Sequence, residues 1–235
     1  MILVRVETSS LPFFLDDFLQ QGLITRLSRS WHCIRLPKPL KQKYYARSFR
    51  GGVAGLKEAL AKFYEAVLKL KSLRRTGWLR CGVREPESVA AHSYAVALLS
   101  VLLADLRGLD AAEAARMALI HDLPEAVIGD LTPEQKREAA EKVSGRELEV
   151  IKDLAKSLPE EIASTYLQAW RDYAEGLSPV ARLVRDVDKL EMGLQAIGYV
   201  RSGSRSAIEI YESALKQIRD PEIKEILRKL GEDLA

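Results

Sequence analysis

Residues 114–120, Ala-Ala-Arg-Met-Ala-Leu-Ile, run directly into a polar stretch composed of His121, Asp122, Leu123, Pro124 and Glu125. The spacing of the apolar residues predicts one helix over 111–123. A histidine and an aspartate at the end of an apolar helix are costly to bury unless other groups satisfy them. Glu125 follows three residues after Asp122, which places the two carboxylates on one helical face. This stretch therefore predicts a packed helix that ends in a polar site.

The helical pattern continues on both sides of this stretch. Ser178 followed by Pro179 is typical of a helix start, since the serine caps the helix and the proline suits its first turn. No stretch alternates with period two for long enough to predict a strand. We therefore predict an all-α domain over residues 53–235, a bundle of about eight helices. Apolar residues recur every three to four positions in segments 53–73, 87–106, 111–123, 146–157, 160–174, 178–200, 205–218 and 221–234.

The composition is that of a globular protein with no strong charge preference. The chain has 235 residues, a net charge of +3 and 47% hydrophobic residues, enough to bury a sizeable core. Its two cysteines, Cys33 and Cys81, are too few for a disulfide framework and favour a reducing cytosol. No apolar run reaches the roughly 18 residues of a membrane span, and residues 1–14 do not resemble a signal peptide. We expect a cytoplasmic enzyme or binding domain with no membrane contact.

Residues 1–52 are predicted as a basic N-terminal extension. Residues 1–57 hold ten Lys and Arg but only three acidic residues. One interpretation is a weakly specified extension that packs on the domain or frays. Another is a basic arm for nucleic acid or a protein partner through residues 35–50, where five cations between Lys38 and Arg50 are mixed with Tyr44, Tyr45 and Phe49. A third is that translation starts downstream of Met1.

Two more segments place polar residues on faces that are otherwise apolar. His92 lies on a predicted helix with one apolar side. The buried face of 183–197 is interrupted by Asp186, Asp188, Glu191 and Gln195. Imidazole nitrogens and carboxylate oxygens together favour a divalent transition metal, and three or four protein ligands leave positions for water and substrate. The pattern is therefore consistent with a hydrolytic metal site.

Helix-surface ion pairs are the alternative interpretation of the same residues. Asp186 stands beside the cations Arg182, Arg185 and Lys189. For Asp186 taken alone, surface ion pairing is the preferred interpretation, and for the remaining acidic residues both interpretations stay open.

Five sequence blocks resemble those of a known protein family, and this resemblance favours the metal site over surface ion pairs. They are Thr76-Gly77-Trp78, Pro86 to Ser93, Ala118 to Glu125, Ile128 to Pro133, and Asp188 to Ala196. In this order the blocks resemble the HD-domain metal-dependent phosphohydrolases, specifically the 5′-deoxynucleotidase branch related to HD domain-containing protein 2. The resemblance covers roughly residues 54–200 and implies an all-helical fold that usually forms a homodimer.

The resemblance also implies a reaction and a set of site residues. The reaction is removal of phosphate from deoxynucleoside 5′-monophosphates, with one divalent ion, Mn, Co, Mg, Ni or Zn. The implied metal ligands are His92, His121, Asp122 and Asp188. Glu125 matches the catalytic acid of the family, Asp130 matches an acid near the substrate sugar, and Trp78 matches an aromatic residue of the substrate pocket.

Cations and aromatic residues near these blocks supply candidate substrate contacts. Arg75 and Lys189 are the best-placed partners for a phosphate dianion, and a solvated surface charge is an equal alternative for each. For Trp78, stacking on the base and packing between helices are equal alternatives. Two positions depart from the family pattern: Ala91 stands where an acidic residue is usual before the first histidine, and Gly77 stands where bacterial enzymes have an arginine.

Two other functions stay open. The chain could be a different HD phosphohydrolase, acting on phosphodiesters, nucleoside triphosphates or alarmones. It could also be a non-catalytic protein that binds nucleic acid through the basic residues 35–50.

Overall fold

A computed structural model of the chain describes residues 52–234. The predicted boundary near residue 52 and the basic segment before it, including residues 35–50, lie outside the described residues. The alternatives given for that segment therefore stay predictions.

The described residues form helices joined by short turns. Within 52–234, eight α-helices have ten or more residues, three are shorter, and extended pairing is limited to a single bridge between Arg74 and Ser88. This confirms the predicted all-α class. In chain order the helices are α1 (Gly52–Ser72), α2 (Thr76–Arg80), α3 (Val89–Arg107), α4 (Ala111–Ile120), α5 (Glu125–Ile128), α6 (Pro133–Glu138), α7 (Ala140–Ala155), α8 (Glu160–Glu175), α9 (Pro179–Arg201), α10 (Ile208–Gln217) and α11 (Pro221–Leu230), with 3₁₀ turns at Arg205–Ala207 and Glu232–Leu234.

Local capping explains where the two longest helices of the site begin. The Ser88 hydroxyl accepts the backbone N–H of Ala91 at the start of α3. At the start of α9 the Ser178 hydroxyl accepts the N–H of Ala181 at 3.0 Å, and Pro179 occupies the first turn. Such caps satisfy N–H groups that have no partner inside the helix. The predicted helix start at Ser178 and Pro179 is confirmed.

Helix α9 lies at the centre of the bundle. It contacts α3, α4, α8, α10 and α11. Small residues on these helices are fully buried, including Ala104, Ala181 and Ala196, which lets the helix backbones approach closely. At Gly193 the approach is close enough that an added Cβ would clash with Leu227 of α11. The helices that carry the polar residues are thus part of a tightly packed core.

Helix α4 ends three residues before its predicted end. The periodicity predicts helix to residue 123, but α4 ends at Ile120 and residues 121–124 form a turn. Pro124 has no N–H to donate to the Ile120 carbonyl, and the Leu123 N–H bonds that carbonyl instead, at 3.1 Å. The turn carries His121 and Asp122 out of the helix at its C-terminal end.

Helix α3 is the one helix among the described residues that is long and apolar enough to cross a membrane by length and composition alone, with a mean hydropathy of 1.7. In the sequence, His92 and Ser93 interrupt its apolar run, so no unbroken run of about 18 apolar residues marks this helix. Here α3 packs against α1, α4 and α9. A core helix meets the same criteria, so this finding is weak evidence for a membrane span.

Candidate functional site

Two buried histidines face each other between α3 and the end of α4. The ring centroids of His92 and His121 lie 5.5 Å apart. Nδ1 of His92 lies 2.5 Å from Glu191 Oε2, and Nδ1 of His121 lies 2.7 Å from the Ala118 carbonyl. Nε2 of both rings is buried and has no hydrogen-bond partner in the described residues. Because Nδ1 of each ring faces an acceptor, Nε2 is the nitrogen available to a ligand.

Two carboxylates complete a cluster around these nitrogens. Asp122 Oδ2 lies 3.2 Å from His121 Nε2 and 3.7 Å from His92 Nε2. Asp188 Oδ1 lies 3.2 Å from His92 Nε2. Ligand atoms of His92, His121 and Asp188 all lie within 4.8 Å of one another. The structure therefore brings together the four residues that the resemblance implies as metal ligands, and their N and O donors fit a divalent transition metal.

The charged groups of this cluster shift one another's pKa values. Burial raises the pKa of Asp122, but His121 and Arg75 lower this pKa by a larger amount. The net pKa of Asp122 is therefore well below its ordinary value. Burial likewise raises the pKa of Asp188, and Lys189 and His92 bring it well below its usual range. Burial and Arg75 lower the pKa of His92, whereas Asp188 and Glu191 raise it, to about 9. Both aspartates are thus ionised at neutral pH, and the negative charge favours a bound cation.

A second pair of carboxylates lies behind His92. Glu191 and Glu87 each offer an oxygen within 4.8 Å of a ring nitrogen of His92, and Glu191 is buried. In the family pattern an acidic residue usually precedes the first histidine, whereas Ala91 stands at that position in this chain. The side chain of Ala91 is exposed, whereas Glu191 reaches His92 Nδ1 from α9. Glu191 is thus the carboxylate that orients this histidine, and the residue at position 91 does not do so.

Arg75 is a half-buried cation beside the cluster. Its side chain is 12% exposed, and Nη1 donates to Asp122 Oδ2 at 3.3 Å. Burial lowers the pKa of Arg75, but the negative charges of Asp122, Asp130, Asp188 and Glu125 raise it above its ordinary value. The surface-charge interpretation of Arg75 is wrong. The guanidinium stays charged and lies against the Asp122 carboxylate of the cluster.

Glu125 is buried at the first position of α5. Its backbone N–H donates to the Asp122 carbonyl at 3.0 Å, so the turn at 121–124 sets its place relative to the cluster. Its charge acts on Arg75. A buried carboxylate next to a cation and a candidate metal cluster is suited to proton transfer.

Trp78 and Asp130 contact residues that neighbour the cluster or its cation Arg75. Trp78 is 1% exposed, packs edge-to-face on Tyr199 at 5.0 Å and donates from Nε1 to Glu87. This arrangement matches the packing alternative for Trp78. Asp130 accepts the backbone N–H of Thr76, and the Thr76 hydroxyl donates to the Asp130 carbonyl at 2.8 Å. These bonds attach the start of α2 to the loop after α5.

Lys189 and Tyr173 contact the outer oxygen of Asp188. Lys189 Nζ lies 2.9 Å from Asp188 Oδ2, and the Tyr173 hydroxyl donates to the same oxygen at 3.1 Å. The Tyr173 ring also packs on His121, with centroids 5.1 Å apart. Burial and then the charge of Asp188 raise the pKa of Tyr173, so the phenol keeps its proton. Sequence reasoning missed Tyr173, because no motif or spacing marks it in α8.

Asp186 has different partners from those expected. It is buried and accepts the backbone N–H groups of Arg219 and Asp220, each at 2.9 Å. The expectation of surface ion pairs with Arg182, Arg185 and Lys189 is therefore wrong. Asp186 holds the connection between α10 and α11 against α9. Its partner Arg219 lies 33 residues away in the chain, so local sequence does not reveal this contact.

Comparison with known proteins identifies the family. A family model described as HD domain matches residues 67–231, a span that contains all four residues of the cluster. The chain belongs to the HD domain family. A human HD relative, named 5′-deoxynucleotidase HDDC2, is 32% identical over 73% of this chain and 84% of its own length.

A second relative and a solved structure match a similar share of this chain. The Saccharomyces cerevisiae protein named 5′-deoxynucleotidase YGK1 is 31% identical over 73% of this chain and 81% of its own length. The crystal structure of the PH0347 protein from Pyrococcus horikoshii matches with a TM-score of 0.60 and 36% identity, covering 74% of this chain and 97% of that chain. The HD fold in this chain thus carries a candidate metal-binding cluster.

Proposed function

We propose that this HD protein hydrolyses deoxynucleoside 5′-monophosphates, and ribonucleoside 5′-monophosphates to an extent set by the sugar contacts, to nucleoside and phosphate. The observation that carries the proposal is the buried pair of His Nε2 atoms without hydrogen-bond partners, facing two ionised aspartates. Relatives named 5′-deoxynucleotidases supply the substrate class.

In this proposal the cluster holds one divalent metal ion through His92, His121, Asp122 and Asp188. Mn, Co, Mg, Ni and Zn are all compatible with this ligand set. When bound, the ion supplies Lewis acidity toward a phosphoryl oxygen and activates water near neutral pH. The packed helices α3, α4 and α9 hold the ligand atoms in place before the ion binds, which reduces the cost of ordering them.

The residues around the cluster transfer protons and bind the phosphate in this proposal. Glu125 acts as the general acid and base, taking a proton from the attacking water or giving one to the leaving 5′-oxygen. Arg75 and Lys189 bind the phosphate dianion, since both cations already lie beside aspartates of the cluster. Arg75 would exchange its single contact with Asp122 for phosphate oxygens, which guanidinium groups bind well.

Asp130 and Trp78 shape the substrate side of the site. Asp130 contacts the sugar in this proposal while its bond to Thr76 holds the start of α2. Trp78 supports that short helix from the core. Its indole ring is buried against Tyr199, so it acts on the base through the position of the α2 backbone.

The proposed setting is a cytoplasmic homodimer that does not associate with membranes. The compartment is proposed from the low cysteine content, which favours a reducing cytosol, and the dimer is proposed from the family resemblance. Size-exclusion chromatography with light scattering measures the oligomeric state.

The activity is tested by phosphate release from a panel of ribo- and deoxynucleoside 5′-monophosphates, after chelation and add-back of single metals. We expect release from deoxynucleotides that depends on the added ion. Absence of release with every ion, on folded protein, overturns the proposal. Release from phosphodiesters, nucleoside triphosphates or alarmones alone would instead identify a different HD phosphohydrolase, and salt-dependent binding of single-stranded nucleic acid without turnover would identify a binding protein.

A further inference from the structure

We propose that Tyr173 is a positioning residue for the metal ligand Asp188: its hydroxyl holds Oδ2, so that Oδ1 is the oxygen presented to the two histidines. The inference rests on the proposed function only in taking the cluster as a metal site. It assigns a role to a helix, α8, that holds none of the residues named above as metal ligands or catalytic groups.

The two oxygens of Asp188 have different surroundings. Oδ1 lies 3.2 Å from His92 Nε2, inside the cluster. Oδ2 receives the Tyr173 hydroxyl at 3.1 Å and lies 2.9 Å from Lys189 Nζ. A carboxylate whose outer oxygen accepts hydrogen bonds has a fixed orientation, and such partners of a ligand tune metal affinity.

Tyr173 is better suited than Lys189 to set that orientation. Lys189 is 29% exposed, lies next to Asp188 on the same helix, and has a long flexible side chain. Tyr173 approaches from another helix, and its ring packs on His121. One rigid side chain therefore contacts two of the proposed ligands, which links the position of the His121 ring to that of the Asp188 carboxylate.

The backbone of Tyr173 is itself held against α9. Arg185 of α9 donates from Nη1 to the carbonyl groups of Tyr173 and Ala174, at 3.3 and 2.8 Å. The Asp172 side chain accepts the backbone N–H of Ser178, at 2.8 Å, across the turn that joins α8 to α9. The last turn of α8 is thus fixed on the helix that carries Asp188, so the tyrosine hydroxyl is placed before any ion binds.

The test compares Tyr173→Phe with Tyr166→Phe in the full chain. Tyr173→Phe keeps the ring on His121 and removes only the hydroxyl. Tyr166 lies on the same helix, is also half-buried and packs on Phe63 at 5.8 Å, so it controls for loss of a tyrosine hydroxyl from α8. Metal binding is measured with Mn²⁺ alone by calorimetry, and the ligand geometry by the visible absorption spectrum of bound Co²⁺. Unfolding in urea with chelator present measures stability without metal.

We expect Tyr173→Phe to weaken Mn²⁺ binding by about 10–100-fold and to alter the Co²⁺ spectrum, while Tyr166→Phe changes neither. Raising the Mn²⁺ concentration by the same factor should restore most phosphate release. Wild-type Mn²⁺ affinity and an unchanged Co²⁺ spectrum in Tyr173→Phe overturn the inference. A loss explained fully by lower stability of the metal-free variant overturns it as well.

The outcomes also separate this inference from the proposed function. A wild-type chain that binds Mn²⁺ but releases no phosphate overturns the proposed substrate and leaves the role of Tyr173 to be decided by the binding data. A wild-type chain that binds neither Mn²⁺ nor Co²⁺ overturns both the proposed function and the role of Tyr173.

Discussion

Two aspartates on helix α9, two residues apart, show opposite ways of placing a carboxylate in a helical core. Asp186 accepts one backbone N–H group on each oxygen, and every group in that contact has its partner. Asp188 faces a histidine whose Nε2 has no hydrogen-bond partner among the described residues. Buried polar groups normally find partners within the protein. The exception therefore marks the candidate metal cluster, and the satisfied contact marks a structural element.

The difference extends to the surroundings of the two residues. Next to Asp186, Asp220 caps α11 and pairs with Arg107 of α3 at 2.5 Å. That network ties three helices together with complementary charges. Around Asp188 there are four carboxylates, Asp188 itself with Asp122, Glu125 and Glu191. They outnumber the three cationic groups, Arg75, Lys189 and His92. Such an excess is unfavourable for stability alone and is suited to binding a cation.

The largest effect is expected from Asp122→Asn. This change keeps the size of the side chain but removes the charge that lies near both histidine Nε2 atoms. We expect metal-dependent phosphate release to fall to background and Mn²⁺ affinity to fall by more than the 10–100-fold typical of outer partners. Calorimetry and phosphate assays measure both, with Asp105→Asn, an exposed residue of α3, as the control. Retained metal and turnover would exclude Asp122 from the cluster's function.

Glu125→Gln should separate catalysis from metal binding. The amide cannot exchange a proton at neutral pH, so we expect kcat to fall by about 10²–10⁴-fold with Mn²⁺ affinity unchanged. Steady-state kinetics and calorimetry on the same preparation measure the two. If kcat stays at the wild-type value, Glu125 has no role in proton transfer.

The variants Asp186→Ala and Asp188→Ala compare the structural aspartate with the aspartate of the cluster directly. Asp186→Ala leaves two backbone N–H groups without acceptors, at about 1–3 kcal/mol each, so we expect a lower free energy of unfolding and normal turnover while folded. Asp188→Ala should abolish metal binding with a much smaller loss of stability in chelator. Urea unfolding with chelator, together with calorimetry, compares them. Equal losses of stability in the two variants would show that the distinction between a structural carboxylate and a carboxylate of the metal cluster does not hold.

The smallest expected effect concerns the pH dependence of the structural network. Hydrogen bonds from Arg107 lower the pKa of Asp220. A lowered pKa adds stability that is present above the unfolded-state value, about 3.9, and is lost as the pH falls through the folded-state value. Because Asp220 is partly exposed, we expect less than about 1 kcal/mol.

The variant Asp220→Asn keeps a good helix cap and removes the charge. Its deficit in unfolding free energy relative to wild type should be full at pH 6 and shrink below about pH 4. Urea titrations at both pH values measure this. A deficit that is constant with pH would mean that the charge of Asp220 contributes nothing.

Local patterns predicted most of the helices and the residues of the cluster. Apolar periodicity predicted the long helices because each buries one face on the core, and the Ser178-Pro179 start was evident from capping chemistry alone. The family resemblance carried by the five sequence blocks implied His92, His121, Asp122 and Asp188 as a set of metal ligands. The end of α4 was misplaced by three residues, because periodicity outweighed the effect of Pro124 in that prediction.

What the sequence by itself determined is thus the all-helical class, the HD family pattern and the identity of the polar residues in it. These are properties of residue type and spacing, which act over one or two helical turns. Only the tertiary structure decided which groups surround those residues. The hydroxyl of Tyr173 on Asp188, the carboxylate of Glu191 on His92 and the backbone N–H groups on Asp186 all come from other helices or from distant positions in the chain. Such contacts depend on how helices pack, and helix packing is set by the whole core, not by any one segment.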